Sequence, residues 1–154
     1  MRWLEYRPLR GEPDCSRGDA VALVEMELAR ILISETSESQ VIYLKEKGGQ
    51  RGFPILIGLY EAFEINRKIT GEAMPRPMTH DLLRNTIRAL GAGLERVVID
   101  ALREATFFAK LQLKRAGETV MVDCRPSDAI ALAAAEQVPI FVDESVIDEA
   151  TKTE

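Results

Sequence analysis

From Val21 to Ile33 the apolar side chains Val24, Met26 and Leu28 alternate with Glu25, Glu27 and Ala29. A period of two marks a strand with one buried face. Val41 to Leu44 gives a second strand, and Gly48-Gly49 a turn after it. Phe53 to Ile57 is a short unbroken apolar run, the pattern of a strand covered on both faces. Gly58 ends that run and the period lengthens. Leu59, Ala62, Phe63 and Ile65 fall on one side of a helix that reaches Ile69, with Glu64 and Lys68 four apart in the favourable order. Gly71 stops it.

Ala73 to Met78 is a proline-bearing link. Thr79 reads as the N-cap of a second helix, with Asp81 in its first turn. Leu82, Leu83, Ile87 and Leu90 make its buried stripe, and Gly91 or Gly93 ends it. Strands follow at Arg96 to Leu102, Thr106 to Leu113 and Thr119 to Asp123, the last two joined through Gly117. Arg125-Pro126 then opens an alanine-rich helix, where proline suits a first turn because its missing N–H has no intrahelical partner there. Pro139 to Val142 is a short strand, and Glu144 to Ala150 a helix capped by Asp143.

The order of elements predicts one α+β domain, a mixed sheet of about six strands covered by about four helices. The domain spans residues 20–150, between a polar N-terminal arm (1–19) and a frayed polar tail (151–154). The arm is broken by Pro8, Gly11, Pro13 and Gly18 and carries Trp3, Leu4 and Tyr6. Arg76-Pro77 and Arg125-Pro126 each precede a helix that opens with an aspartate, the trace an internal duplication would leave.

Composition narrows the function classes. At 154 residues, 46% apolar and 29% charged, the chain has enough length for a sizeable core. No run approaches the ~18 apolar residues of a membrane span, and no secretory h-region is visible, so the expectation is a cytoplasmic protein without a membrane partner. Cys15 and Cys124 lie far apart and make no metal-spaced pair, which argues against zinc. A net charge of −5 argues against a protein that coats nucleic acid electrostatically. The distribution is uneven, however: Arg67 to Arg115 carries +5 and the remainder −10. A local anion-binding face is therefore allowed.

The densest polar chemistry sits where Val120-Met121-Val122 passes into the alanine-rich helix: Asp123, Arg125, Ser127 and Asp128 crowd one strand-to-helix junction. Metal-assisted phosphodiester hydrolysis needs hard oxygen ligands, a group to move protons and cations to take up phosphate charge. Asp81, Asp123 and Asp128, with Glu61 as a fourth carboxylate, are the candidate ligands for Mg²⁺ or Mn²⁺. His80, the single histidine, is the candidate general acid or base beside Asp81, Asp123 and Asp128. Arg76 and Arg125 are candidate phosphate clamps, and Thr79 and Ser127 add hydroxyls at helix N-termini that favour anions.

The same residues have a structural reading. Arginine and aspartate at helix starts close junctions by pairing with each other, and Asp81, Asp128, Thr79 and Ser127 are all suited to capping. Tyr60, Phe107 and Phe108 are able to stack on bases, but on alternating strands such residues more often fill a core. Cys124 reads as a small buried hydrophobe.

Five segments carry a resemblance to a known family: Pro54-Ile55-Leu56-Ile57-Gly58 with Glu61-Ala62; Arg76-Pro77-Met78-Thr79-His80-Asp81-Leu82-Leu83; Phe107-Phe108-Ala109; Asp123 through Ala133; and Pro139-Ile140-Phe141-Val142. In order and spacing, from Val21 to Ala150, the chain resembles the bifunctional nuclease domain family. Phe53 stands where that family often has leucine, and Cys124 where a small residue such as alanine is common. The resemblance implies a compact α+β domain, self-association (a dimer first), and cleavage of both DNA and RNA. Two readings remain beside nuclease activity: a non-catalytic self-associating module for an anionic ligand or a protein partner, and a purely structural oligomer whose Arg–Asp pairs lock the junctions.

Overall fold

A computed structural model describes residues 22–152. The N-terminal arm with Trp3, Leu4, Tyr6 and Cys15, and the last two residues of the tail, lie outside the described residues. In chain order the elements are β1 (Leu23–Leu32), β2 (Gln40–Glu46), β3 (Gly52–Ile57), α1 (Leu59–Thr70), α2 (Thr79–Ala89), β4 (Ala92–Arg103), β5 (Thr106–Arg115), β6 (Glu118–Cys124), α3 (Pro126–Glu136), β7 (Ile140–Asp143) and α4 (Glu144–Thr151). The described residues thus hold one mixed sheet of seven strands, against about six expected, and the four expected helices.

The strand order is β3-β2-β1-β7-β4-β5-β6. β1-β2-β3 is an antiparallel meander that runs into α1. β4-β5-β6 is a second, running into α3. β7 joins them, antiparallel to β1 and parallel to β4. The topology therefore repeats a β-β-β-α unit. The echo read from the Arg-Pro turns is real in kind but attaches to other helices: α1 and α3 correspond, not α2 and α3.

Irregularities at Leu28/Arg30, Leu94/Arg96 and Ile99/Ala101 break the ladders. Such bulges bend a strand and increase its twist. The sheet curls until its β3 edge faces β5, and Phe53 stacks on Phe107 with ring centroids 5.4 Å apart and planes 16° from parallel. Phe107 accordingly packs against the core, while Phe108, its neighbour, turns to the other face under Arg103. Inside the curl lie Met26, Ile42, Leu44, Ile55, Val97, Ile99 and Leu111, covered by α1, α3 and α4. Ala129, Ala131 and Ala133 are all buried, and their small side chains let α3 lie close to α1 and the sheet. No helix of the described residues is long and apolar enough to cross a membrane.

Three expectations change. β3 is an edge strand with Pro54 and Leu56 exposed, so Phe53 to Ile57 is not covered on both faces. Proline cannot donate to a ladder and belongs on an edge, a stronger signal than the apolar run. The α2 stripe is not buried: Leu82 and Leu90 are 61% and 62% exposed, Leu83 is exposed as well, and only Ile87 packs against the core. Helical spacing shows that a face is apolar, not that anything covers it. On α1, Ala62 and Ile65 are buried but Phe63 is exposed.

Phe53 is fully buried at the point where the curled sheet closes, whereas Leu56 is 66% exposed on the same strand. Phe53→Ala should lower unfolding free energy by about 3–5 kcal/mol, and Leu56→Ala by no more than about 0.5 kcal/mol. Urea denaturation followed by far-UV circular dichroism measures both.

Candidate functional site

β3 passes through Gly58 directly into α1, and β6 through Arg125 directly into α3. Gly58 and Arg125 are the N-cap residues, and neither caps its helix with a side chain. Glu61 and Asp128 occupy the same place, three residues past the cap, in the two repeated units. Carboxylates there meet the positive ends of the helix dipoles. Arg125 joins them. Its Nε and Nη2 donate to the two oxygens of Asp128 at 2.7 and 2.9 Å, and its Nη1 donates to Glu61 Oε1 at 2.9 Å. Three of the five N–H donors of the guanidinium are thereby committed, leaving two.

α2 completes the cluster. Its His80 Nε2 lies 2.8 Å from Asp128 Oδ1, and His80 Nδ1 lies 3.8 Å from Glu64 Oε1 on α1. The facing carboxylate assigns the proton to Nε2 and fixes the ring. Burial pushes the Asp128 carboxyl up, but hydrogen bonds from His80 and Arg125 outweigh it and hold the group below its ordinary value. Asp81 follows the same logic: burial raises it, while Lys68, the Met78 amide and Arg67 hold it well below the usual carboxylate range. Arg67 Nη2 reaches Asp81 at 2.9 Å and Glu64 at 2.8 Å, Lys68 pairs with Asp81, and the Met78 N–H donates to Asp81 Oδ2 at 3.0 Å. Met78 is thus the N-cap residue of α2, and Thr79 its first helical residue rather than its cap.

Of the sequence candidates, Glu61, His80, Arg125 and Asp128 meet directly, and Asp81 joins through Arg67 and Glu64. Asp123 does not. It pairs in register with Lys110 on the face opposite the core-packed Cys124, next to Asp100, which Lys110 also binds. Burial and the Asp100 charge raise its carboxyl, with Lys110 opposing. Strand alternation put Asp123 on the far side of the sheet, and the turn after Cys124 hid this in the sequence. Arg76 and Thr79 are exposed, and neither side chain makes a hydrogen bond or ion pair among the described residues. Ser127 is buried in the first turn of α3. Cys124 is half-buried, its thiol pushed up by burial and the nearby carboxylates, which keeps it protonated and inert.

Sequence reasoning missed Glu64, Arg67 and Lys68 as site residues. Their signal was the i, i+3 and i, i+4 spacing on α1, read only as helix support. Arg67, Lys68, Asp81, Arg84 and Asn85 also line an open cleft of about 450 Å³ between α1 and α2.

The donor set does not fit a resident divalent ion. Both oxygens of Asp128 and of Asp81 accept from side-chain cations, and no three His, Cys, Asp or Glu side chains converge as a metal-binding group among the described residues. Glu61 Oε2 is the one buried side-chain oxygen without a partner among those residues.

Residues 42–154, which include the whole cluster, match the bifunctional nuclease domain. The chain belongs to that family. An uncharacterized protein of Mycobacterium tuberculosis is 40% identical over 126 residues, covering 82% of this chain and 75% of its own length. Two rice proteins are more distant. "Bifunctional nuclease 1" of Oryza sativa subsp. indica is 25% identical and "Bifunctional nuclease 2" of Oryza sativa subsp. japonica 28%, both over 118 residues. The match covers 74% of this chain but 36% of each rice protein, so the chain spans about a third of their length.

In this bifunctional nuclease domain the guanidinium of Arg125 is the hub. Its side chain is 27% exposed and that of Glu61 only 10%. Arg125→Ala leaves two carboxylates facing each other without a cation, and should cost about 2–4 kcal/mol in urea denaturation. Arg125→Lys should recover part of that but not the two-point hold on Asp128. Carbon-detected NMR titration should show Asp128 rising toward its ordinary carboxylate value in both variants.

Proposed function

We propose that this domain hydrolyses phosphodiester bonds of DNA and RNA with low sequence specificity. His80 is the proton-transfer group and Arg125 the phosphate contact. The observation that carries the reading is the 2.8 Å contact of His80 Nε2 with Asp128, on the same carboxylate that Arg125 grips from the other side. An imidazole oriented by a carboxylate has a fixed tautomer and a second nitrogen for chemistry. Water supplies the new P–O bond, the bond to the leaving oxygen breaks, and a proton taken from water through His80 ends on that oxygen. The two uncommitted N–H groups of Arg125 and the uncapped starts of α1 and α3 favour the charge that gathers on the phosphoryl oxygens. None of these groups reads a base edge, which suits low sequence specificity.

The expectation of Mg²⁺ or Mn²⁺ is tied to four carboxylates, of which Glu61, Asp81 and Asp128 are held by Arg125, Arg67, Lys68 and His80 while Asp123 lies on the far face. Proton transfer by His80 does not require that they let go. Cleavage by rigorously purified protein should survive a chelator. A strict requirement for added Mn²⁺ would instead mean that the ion pairs at Asp128 open in the working enzyme.

A second reading is favoured by the uncovered apolar side of α2, with Leu82, Leu83 and Leu90 exposed. In it the domain is a non-catalytic, self-associating module, first of all a dimer, that binds an anionic ligand. Light scattering and calorimetric titration with oligonucleotides separate the two, since binding without turnover supports the module.

His80→Ala and Asp128→Asn should each lower cleavage of single-stranded DNA and RNA by about 10²-fold or more, while Asp123→Asn, on the far face, stays near the parent rate. Equal activity in all three would assign the cleavage to a contaminant and sink the catalytic reading.

A further inference from the structure

Helix α2 is attached differently from the other three. It buries none of its residues, whereas α1, α3 and α4 each bury two or more. Its apolar hold on the body reduces to Ile87, which borders a cavity of about 30 Å³ shared with Leu94 and Leu132. Charge does the rest, at both ends. In the first turn His80 meets Asp128 and Glu64, and Asp81 meets Arg67 and Lys68. In the later turns Arg84 and Arg88 close on Glu136 at the end of α3, with Arg88 Nη2 at 2.9 Å from both of its oxygens. Gly71 and Gly91, both at positive φ, bracket the helix and its link and supply backbone freedom at each side.

We propose that α2 is a separately releasable helix, latched to α1 and α3 by these ion pairs, and that acid opens the latch before the sheet unfolds. The groups facing α2 are Glu64, Arg67 and Lys68 from α1, Glu72 across the cleft, and Asp128 and Glu136 from α3, with Glu61 and Arg125 behind Asp128. β4 contributes Gly93 and Leu94 to the small cavity beside Ile87. Burial raises the carboxyls of Glu64, Asp81, Asp128 and Glu136, but their cationic partners outweigh it and hold all four below their ordinary values. A depressed carboxyl contributes stability above its unfolded value and loses it as pH falls toward the folded one. The released helix therefore binds more protons than the docked one, and the latch weakens below about pH 4 to 4.5. The sheet itself is held mainly by apolar burial, which does not titrate in that window. Release also withdraws His80 from Asp128. That consequence rests on the catalytic reading above; the release itself does not.

Amide hydrogen exchange on the full chain, expressed as protection relative to the unstructured rate, tests the latch. Between pH 7 and about pH 3, protection of residues 79–89 should fall by about tenfold or more while Val97–Ile99 and Ala129–Ala133 keep theirs. Asp81→Asn and Glu136→Gln, each removing one end of the latch, should produce the same local loss at pH 7. Exchange of α2 in step with the β4 core at every pH would overturn the proposal. So would parent-level α2 protection in both variants while they remain folded.

Discussion

One guanidinium holds the two repeated halves together where their helices begin. α1 and α3 each start without a side-chain cap and each place a carboxylate, Glu61 or Asp128, in the first turn. Two helix starts packed side by side bring two positive dipole ends and two negative carboxylates into one partly buried place. Arg125 resolves this with a planar fork that meets both carboxylates at once. A lysine, a single point of charge, has no geometry for that. Ion pairs taken out of water seldom add stability over apolar packing, but they fix geometry and penalise alternatives. The place of Asp128, and with it the ring of His80, follows from where Arg125 is satisfied.

Much of the scaffold was legible in the sequence, because the signals that set it are local. The alternation in β1, the proline opening α3, Gly71 closing α1 and Asp143 capping α4 each act within a few residues, and the element boundaries follow them closely. Local signals fail where a tertiary event decides. Bulges curl the sheet and turn Phe107 inward to meet Phe53, a contact no periodicity encodes. The Arg-Pro echo does not mark corresponding helices: Arg125 is the N-cap of α3, whereas Arg76 stands two residues ahead of the Met78 cap of α2. The informative correspondence was Glu61 with Asp128, marked in the sequence only by the buried alanine that follows each, Ala62 and Ala129. Asp123 lies apart from the cluster for a related reason: proximity in sequence to Arg125 does not survive the change from strand to helix.

With the helices gathered inside the curl, the outer face of the sheet meets water without helical cover. Arginines partly shield its aromatics there. Arg30 lies over Tyr43, Arg96 over Phe141 and Arg103 over Phe108, each guanidinium carbon within 5.1 to 5.7 Å of the ring centroid. Such stacking covers apolar surface with a charged but flat and weakly hydrated group. Lys110, paired with Asp100 and in register with Asp123, belongs to the same balanced surface. The sheet therefore separates two uses of charge: dispersed on the outside, where it keeps an open face compatible with water, and concentrated among the helix starts, where it orients.

That concentration couples the docking of α2 to the setting of His80. Asp128 orients His80 and is also one of the points where α2 is held; Glu64 faces His80 and also anchors Arg67, which reaches Asp81. A proton arriving at either carboxylate weakens the docking of a helix and changes the setting of the imidazole in the same event. Glu61, whose Oε2 alone among the buried side-chain oxygens of the described residues lacks a partner, stands at the opposite end of the Arg125 fork. A network with one open acceptor and a dissociable helix is not the arrangement that maximises stability, since an apolar junction of the same size would hold at least as well. It is an arrangement in which the position of one helix and the state of a few protons determine what Arg125 and His80 present to solvent.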